Sequence, residues 1–227
     1  MNLLVSDYDG TFKSNLKNLK INITKISKFI EEGNKFVIAT GREFNSIKRE
    51  IIKYNIPYNY LVCNSGLVIF DSNDEVVYSS ILKEDDIHFI YKNLDMSLNN
   101  YNTRLYNLYT QTSKLDEVLE VYVEFEDLIG IKELKHHIES MRPDLICNQI
   151  NNKLFIGHNL NKSTAIEFLM NKENIEKEKI YTIGNDLNDL EMLLNFNGYK
   201  MLKCNKKLLF RGIPTSRQVH TLIKKIT

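Results

Sequence analysis

No run of apolar residues in the 227-residue sequence approaches the roughly 18 that would span a bilayer. The opening stretch, Met1 to Val5, is apolar for only a few residues before Asp7. It lacks the basic start and long apolar core of a signal peptide. Cysteine is scarce: Cys63, Cys147 and Cys204 are odd in number, far apart and form no CxxC pair. That pattern points to a reduced, cytoplasmic protein. Excess charge of either sign is lacking too, with 30 basic and 29 acidic residues. Such a balance gives no electrostatic reason to expect nucleic acid or an anionic membrane as partner. Repeats and low-complexity linkers are absent. What is present is 43% apolar and 26% charged residues, the mark of a soluble globular chain. The length suits one ordinary domain plus an insertion, or one large domain. Monomer and homodimer both remain open.

Leu3-Leu4-Val5-Ser6-Asp7 reads as a buried strand ending in a carboxylate. A helix is expected over 24–32, with Gly33 closing it. Lys35 to Ala39 is a second strand, 43–54 a helix broken at Pro57, and Tyr60 to Cys63 a third strand. This rhythm predicts an α/β fold with a Rossmann-like parallel-sheet core and right-handed crossovers. In such sheets reactive groups gather beyond the C-terminal strand ends, where Asp7, Thr40 and Asn64 fall. Val68 to Phe70 and Val76 to Tyr78 flank a turn and predict a hairpin.

From about Ser80 the texture changes. Helices are expected over 84–94 and 131–141. Leu119, Val121, Val123 and Phe125 alternate with Glu120, Tyr122 and Glu124, as in a half-buried strand. We read 80–152 as an inserted α+β cap, and 1–79 with 153–227 as the core. In the core, 153–157 is a strand, 162–170 a helix, 179–183 a strand and 190–194 the start of a helix. One more short strand and a helix over 218–226 complete the tail.

Four groups of residues carry chemistry. In Asp7-Tyr8-Asp9-Gly10-Thr11, carboxylates two apart at a strand end can face one side. One can attack phosphorus while the other moves protons. Gly10 lets the backbone turn away, although Asp and Gly also favour ordinary turns. Thr40-Gly41-Arg42 offers a hydroxyl and backbone N–H groups at a helix start, suited to a phosphate oxygen or to a plain cap. Lys162 begins a helix at the same edge. Gly184 to Asp189 clusters acidic and amide oxygens between strand and helix, suited to Mg²⁺ or to helix capping.

Together, in this order, these segments resemble the haloacid dehalogenase-like phosphatases, in particular the Cof-type branch. Asp7 to Thr11 is similar to the first motif, Ala39 to Arg42 to the second, Lys162 in Asn161 to Ala165 to the third, and Gly184 to Leu193 to the fourth. Cys63-Asn64-Ser65-Gly66 is similar to the Asn-Gly segment of that branch. The resemblance covers nearly all of the core and is weak in the cap. It implies a Mg²⁺-dependent phosphatase acting on a small phosphorylated metabolite through an aspartyl-phosphate. It implies Asp7 as nucleophile and Asp9 as general acid and base. Thr40, Gly41, Lys162 and Asn188 would hold the phosphate. Asp7, Asp9 (through its carbonyl), Asn185, Asp186 and Asp189 would hold or orient the metal.

Asn185 stands where the family usually has a metal-binding Asp, so weaker metal binding is expected, with Asp186 as a possible substitute. The cap is short for the branch, which predicts an open site and loose selectivity. A phosphotransferase or phosphomutase acting on sugar phosphates, and a binding module without turnover, are the rival readings. Among other residues, His136-His137 and the pairs Lys206-Lys207 and Lys224-Lys225 read as solvated. Tyr101, Tyr106 and Tyr109 read as core packing more than pocket lining. Cys63 reads as a small core residue.

Overall fold

The structure, a computed structural model, describes residues 1–96 and 100–226. In chain order the first half of the core contains β1 (Leu3–Asp7), α1 (Leu16–Glu31), β2 (Lys35–Ala39), α2 (Phe44–Tyr54), β3 (Tyr60–Cys63), β4 (Val68–Asp71) and β5 (Val76–Ser79). The insert contains α3 (Glu84–Asp95), β6 (Tyr101–Tyr106), β7 (Gln111–Thr112), β8 (Glu120–Phe125), α4 (Ile131–Met141), β9 (Leu145–Ile150) and β10 (Lys153–His158). The chain then forms α5 (Lys162–Glu173), β11 (Ile180–Gly184), α6 (Leu190–Asn195), β12 (Asn197–Met201), β13 (Thr215–Ser216) and α7 (Val219–Ile226).

An eight-stranded sheet runs in the order β13-β12-β11-β1-β2-β3-β4-β5. It is parallel from β13 to β3, and the β4–β5 hairpin extends it antiparallel. Both faces of the parallel part are covered, as crossover helices require. On β1 successive side chains point to opposite faces. Leu4 joins Leu19, Ile26 and Phe29 of α1 and Val219, Leu222 and Ile223 of α7. Leu3 and Val5 join Ala165, Ile166 and Leu169 of α5 and Met192 of α6.

Two expectations are extended here. Helix α1 begins two turns earlier than expected, because the Asn15 side chain accepts from Asn18 N and caps it. The tail contributes two strands, β12 and β13, not one.

A second sheet runs β7-β6-β8-β10-β9. One face packs on α3 and α4, with Ile87, Ile90, Ile131 and Ile138 against Val121, Val123, Leu154 and Ile156. The boundary expected at residue 153 is corrected by this sheet. β10 is hydrogen-bonded antiparallel to both β8 and β9, so the chain returns to the parallel sheet only after His158. A short apolar run carries no mark of which sheet it will join. The expectation for β8 is corrected as well. Glu120 and Tyr122, on the face away from α3 and α4, are buried. That face covers the strand ends of the parallel sheet.

Candidate active site

The register of the parallel sheet sets the site. Asp7 pairs with Ala39, Ala39 with Val62, and Ser6 with Ile183. Asp7, Thr40, Asn64 and Asn185 therefore all lie at one edge, beyond the C-terminal strand ends. After β3 the chain makes a tight turn, Asn64 to Gly66, with φ positive at each residue. A Cβ on Gly66 would sit 2.2 Å from the Asn161 carbonyl oxygen. The absence of a side chain there lets the turn abut the start of α5 and bring Lys162 to the edge.

Lys162 is 1% exposed and joins two carboxylates. Its Nζ donates to Asp7 Oδ1 and to Asp189 Oδ1, each at 2.7 Å. Burial alone would lower the Lys162 pKa, but the Asp189 and Asp7 charges raise it above its ordinary value. Burial lifts the Asp7 carboxyl above the usual range, and Asp189 adds to this while Lys162 opposes it. The other Asp189 oxygen accepts from the backbone N–H of Asn185 at 2.8 Å and of Asp186 at 3.0 Å. Asp189 thus fixes both the lysine and the loop after β11.

On the far side of Asp7 three oxygens converge. The Asn185 amide presents its outer atom 3.0 Å from Asp7 Oδ2, 3.0 Å from the Asp9 carbonyl and 2.8 Å from Thr11 Oγ1. With nitrogen turned inward, all three oxygens lie within reach of the two amide hydrogens. With oxygen inward, Asp7 Oδ2, the Asp9 carbonyl and Asn185 Oδ1 meet with no proton between them. Mg²⁺ takes oxygen ligands octahedrally at about 2.1 Å, which separates neighbouring ligands by about 3.0 Å. With Asn185 oxygen inward, the donor set is three hard oxygens, the chemistry that suits a small hard dication, and Asn185 lies at a compatible spacing from the other two. Gly10, at φ +78°, keeps this space open, since a Cβ there would lie 2.6 Å from Asn185 Nδ2.

The remaining candidates divide. Asp186 is exposed and lines the wider cleft, and its Oδ1 accepts from Leu187 N and Asn205 Nδ2, each at 2.8 Å. Thr40 is buried, and its Oγ1 accepts from Arg42 N at 3.1 Å. Gly41 lines two adjoining spaces, a cavity of about 330 Å³ and a wider cleft of about 540 Å³. Asn188 is exposed at the rim of the cleft.

Sequence reading missed two partners. The Arg42 guanidinium forks onto Asp9, with Nε to Oδ2 and Nη2 to Oδ1 both at 2.7 Å. The signal was there in Thr40-Gly41-Arg42, but only as a phosphate-binding turn. Glu120 of β8 accepts from Asn64 Nδ2 at 2.9 Å. Its position in an alternating strand marked it as solvent-facing. Burial raises its pKa to about 7, against the Asn64 hydrogen bond.

Of the tyrosines, Tyr106 lines the smaller cavity. Tyr109 packs on Phe44 and Phe70, and Tyr101 on Phe125. His136, His137, Lys206, Lys207, Lys224 and Lys225 are exposed. Cys63 is buried, and burial pushes its thiol well above its ordinary pKa. A separate cluster of Asp86, Asp144 and His158 lies where the insert joins the core. Arg142 already pairs with both carboxylates there and supplies the positive charge a cation would bring.

This geometry agrees with what the sequence matches. The chain matches the family of haloacid dehalogenase-like hydrolases over residues 4–114 and 94–209, and it belongs to that family. It is 24% identical over 248 residues to a protein of Buchnera aphidicola subsp. Baizongia pistaciae named provisionally as a phosphatase, covering 93% of this chain and 90% of that one. Among solved structures, the fold matches a haloalkanoate-superfamily phosphatase of Bacteroides thetaiotaomicron at TM-score 0.81 and 16% identity, over 100% of this chain and 94% of that one. It also matches a subclass IIB sugar phosphatase at TM-score 0.77 and 14% identity, over the whole of both chains. Among the described residues, no helix is long and apolar enough to cross a membrane.

Proposed function

We propose that the protein is a Mg²⁺-dependent phosphatase that hydrolyses a small phosphomonoester through an aspartyl-phosphate on Asp7. The observation that carries this reading is the two-sided setting of Asp7. One oxygen faces the Lys162 ammonium, and the other faces the Asp9 carbonyl and the Asn185 amide. A carboxylate so held has an electropositive partner on one side and a dication-sized oxygen cluster on the other.

Asp7, Asp9 (through its carbonyl) and Asn185 would hold the metal, which when bound supplies charge neutralisation at the phosphoryl oxygens. The chain's own groups do the rest. Asp7 forms a bond to phosphorus as the ester P–O bond breaks, and Asp9 gives its proton to the leaving oxygen. Asp9 then takes a proton from water, which attacks phosphorus and frees Asp7. Lys162, Thr40 and the Gly41 backbone position the phosphoryl group, and such positioning is the main source of acceleration in phosphoryl transfer.

Phosphate release from a panel of phosphomonoesters, with and without Mg²⁺, tests this. Release that requires Mg²⁺ and vanishes in Asp7→Asn is expected. Undiminished release by a folded Asp7→Asn protein would sink the mechanism.

A further inference from the structure

We propose that the loop joining β12 to β13, residues 202–214, docks the protein on an anionic membrane surface. Phe210 and Leu209 enter the lipid interface, and Lys203, Lys206, Lys207 and Arg211 meet the headgroups. The inference goes beyond the phosphatase reading and does not depend on it.

The near balance of charge over the whole chain conceals a division along it. Residues 192–227 carry eight basic side chains and no acidic one, while residues 1–191 carry 22 basic and 29 acidic. Such asymmetry points to an anionic surface as partner. Lys203, Lys206, Lys207 and Arg211, half of the eight, are exposed on this one loop. Among the described residues none of the four forms an ion pair. Apolar side chains stand among them. Phe210 is 91% exposed, more than any other large apolar side chain described, and Leu202 and Leu209 are exposed on the same loop. A single exposed leucine calls for no explanation, but three large apolar side chains among four cations within residues 202–211 call for one. The loop is anchored. Leu208 and Ile213 are buried in the core, and Asn205 donates through its backbone N–H to the Asn185 carbonyl and through Nδ2 to Asp186 Oδ1, each at 2.8 Å. With Leu208 fixed inward, Leu209 and Phe210 are held out toward solvent, so docking costs little ordering. Because β12 runs parallel to β11, and β11 to β1, the loop leaves the sheet at the edge that carries Asp7. Aliphatic and aromatic side chains rimmed by Lys and Arg suit the headgroup boundary, where apolar burial and attraction to anionic lipid act together. Stacking on successive nucleic-acid bases uses a row of rings, and the loop has one. An acidic polypeptide would answer the cations and leave the apolar side chains in water.

The test is co-sedimentation of the full chain with vesicles of phosphatidylglycerol and phosphatidylcholine in equal parts, and with vesicles of phosphatidylcholine alone. The mixed vesicles are expected to bind at least about tenfold tighter, less so as salt is raised. Lys203→Gln, Lys206→Gln and Lys207→Gln together should weaken that binding about a hundredfold, at about fivefold for each cation removed. Phe210→Ser should weaken it at least about fivefold and leave its salt dependence in place. The chain has no tryptophan, so Phe210→Trp supplies a single indole, whose emission should shift to the blue on mixed vesicles only. That variant keeps an aromatic ring at an exposed position and decides the question even where another fails to fold. Equal binding to both vesicles, a preference untouched by the substitutions, or an unshifted emission overturns the proposal. So does tighter binding to oligouridylate or to polyglutamate than to the mixed vesicles at the same salt, which would give the loop to a nucleic acid or to an acidic protein.

Discussion

Arg42 donates to both carboxylate oxygens of Asp9, each at 2.7 Å, across a gap of 33 positions in the chain. Asp9 is 54% exposed and Arg42 33% exposed along their side chains. An ion pair this wet adds little stability, typically under about 1 kcal/mol. Its effect is orientation: the planar fork holds the Asp9 carboxylate in one setting, which a lysine cannot do. The fork suits the ionised Asp9 that takes a proton from water in the second step of the proposed mechanism; to give a proton to the leaving oxygen in the first, one Asp9 oxygen must leave the fork. Arg42→Ala and Arg42→Lys are each expected to lower kcat about tenfold, equivalent to about 1.4 kcal/mol of barrier. The urea midpoint should hardly move. A loss of stability that matches the loss of kcat would assign Arg42 to folding instead.

Lys162 predicts the opposite balance. Its ammonium is buried between Asp7 and Asp189, which are themselves buried. Removing one partner of a buried pair leaves uncompensated charge, at a cost of about 3–5 kcal/mol. Lys162→Met should therefore lose turnover and also unfold at markedly lower urea. A Lys162→Met protein within about 1 kcal/mol of the parent would mean that these carboxylates do not depend on the ammonium.

The parallel sheet was legible because its strands are written locally. Leu3 to Asp7, Lys35 to Ala39 and Tyr60 to Cys63 are short apolar runs, each closed by a polar turn at the same edge. The early turns of α1 were hidden by Asn18 and Asn22. Asn22 is polar yet buried, since its Nδ2 donates to Phe12 O and its Oδ1 accepts from His220 N. The insert was harder, because β6 and β9 carry polar residues along much of their length. Their pairing with β8 and β10 is set by partners distant in sequence. Within the site, the strand-end residues could be found by position. The partners Arg42 for Asp9 and Glu120 for Asn64 could not, since each joins segments that only the fold brings together.

Asn185 invites a test that does not depend on turnover. In the nitrogen-inward orientation its amide donates to Asp7 Oδ2 and the Asp9 carbonyl, so the loop is satisfied without a metal. Asn185→Asp removes those donors and adds a negative charge beside Asp7. Like charges this close are destabilising, and a dication between them reverses the sign. Without Mg²⁺ the variant should melt below the parent, and saturating Mg²⁺ should raise its melting temperature by more than the parent's. Mass action makes that larger shift a direct reading of tighter metal binding. Equal Mg²⁺-induced shifts in the two proteins would remove residue 185 from the metal site.

Glu120 makes a prediction about stability against pH. Its ordinary carboxyl value of 4.5 is raised to about 7 in the fold, because burial penalises the charged form more than the Asn64 hydrogen bond helps it. Below pH 4.5 the group is neutral in both folded and unfolded chains, and its contribution is fully present. Between 4.5 and 7 the unfolded chain ionises while the folded one does not, so stability is lost as pH rises. Above 7 both forms are ionised and the loss is complete. A tenfold difference in proton affinity between folded and unfolded chains is worth about 1.4 kcal/mol, so the whole loss is about 3 kcal/mol. Glu120→Gln cannot ionise. Its stability relative to the parent should therefore climb by about that amount between pH 4.5 and 7 and then level off, as read from urea midpoints across the range. A constant offset between the two proteins over the same window would mean that Glu120 reaches solvent or a cation in the free protein, and that burial does not hold it neutral.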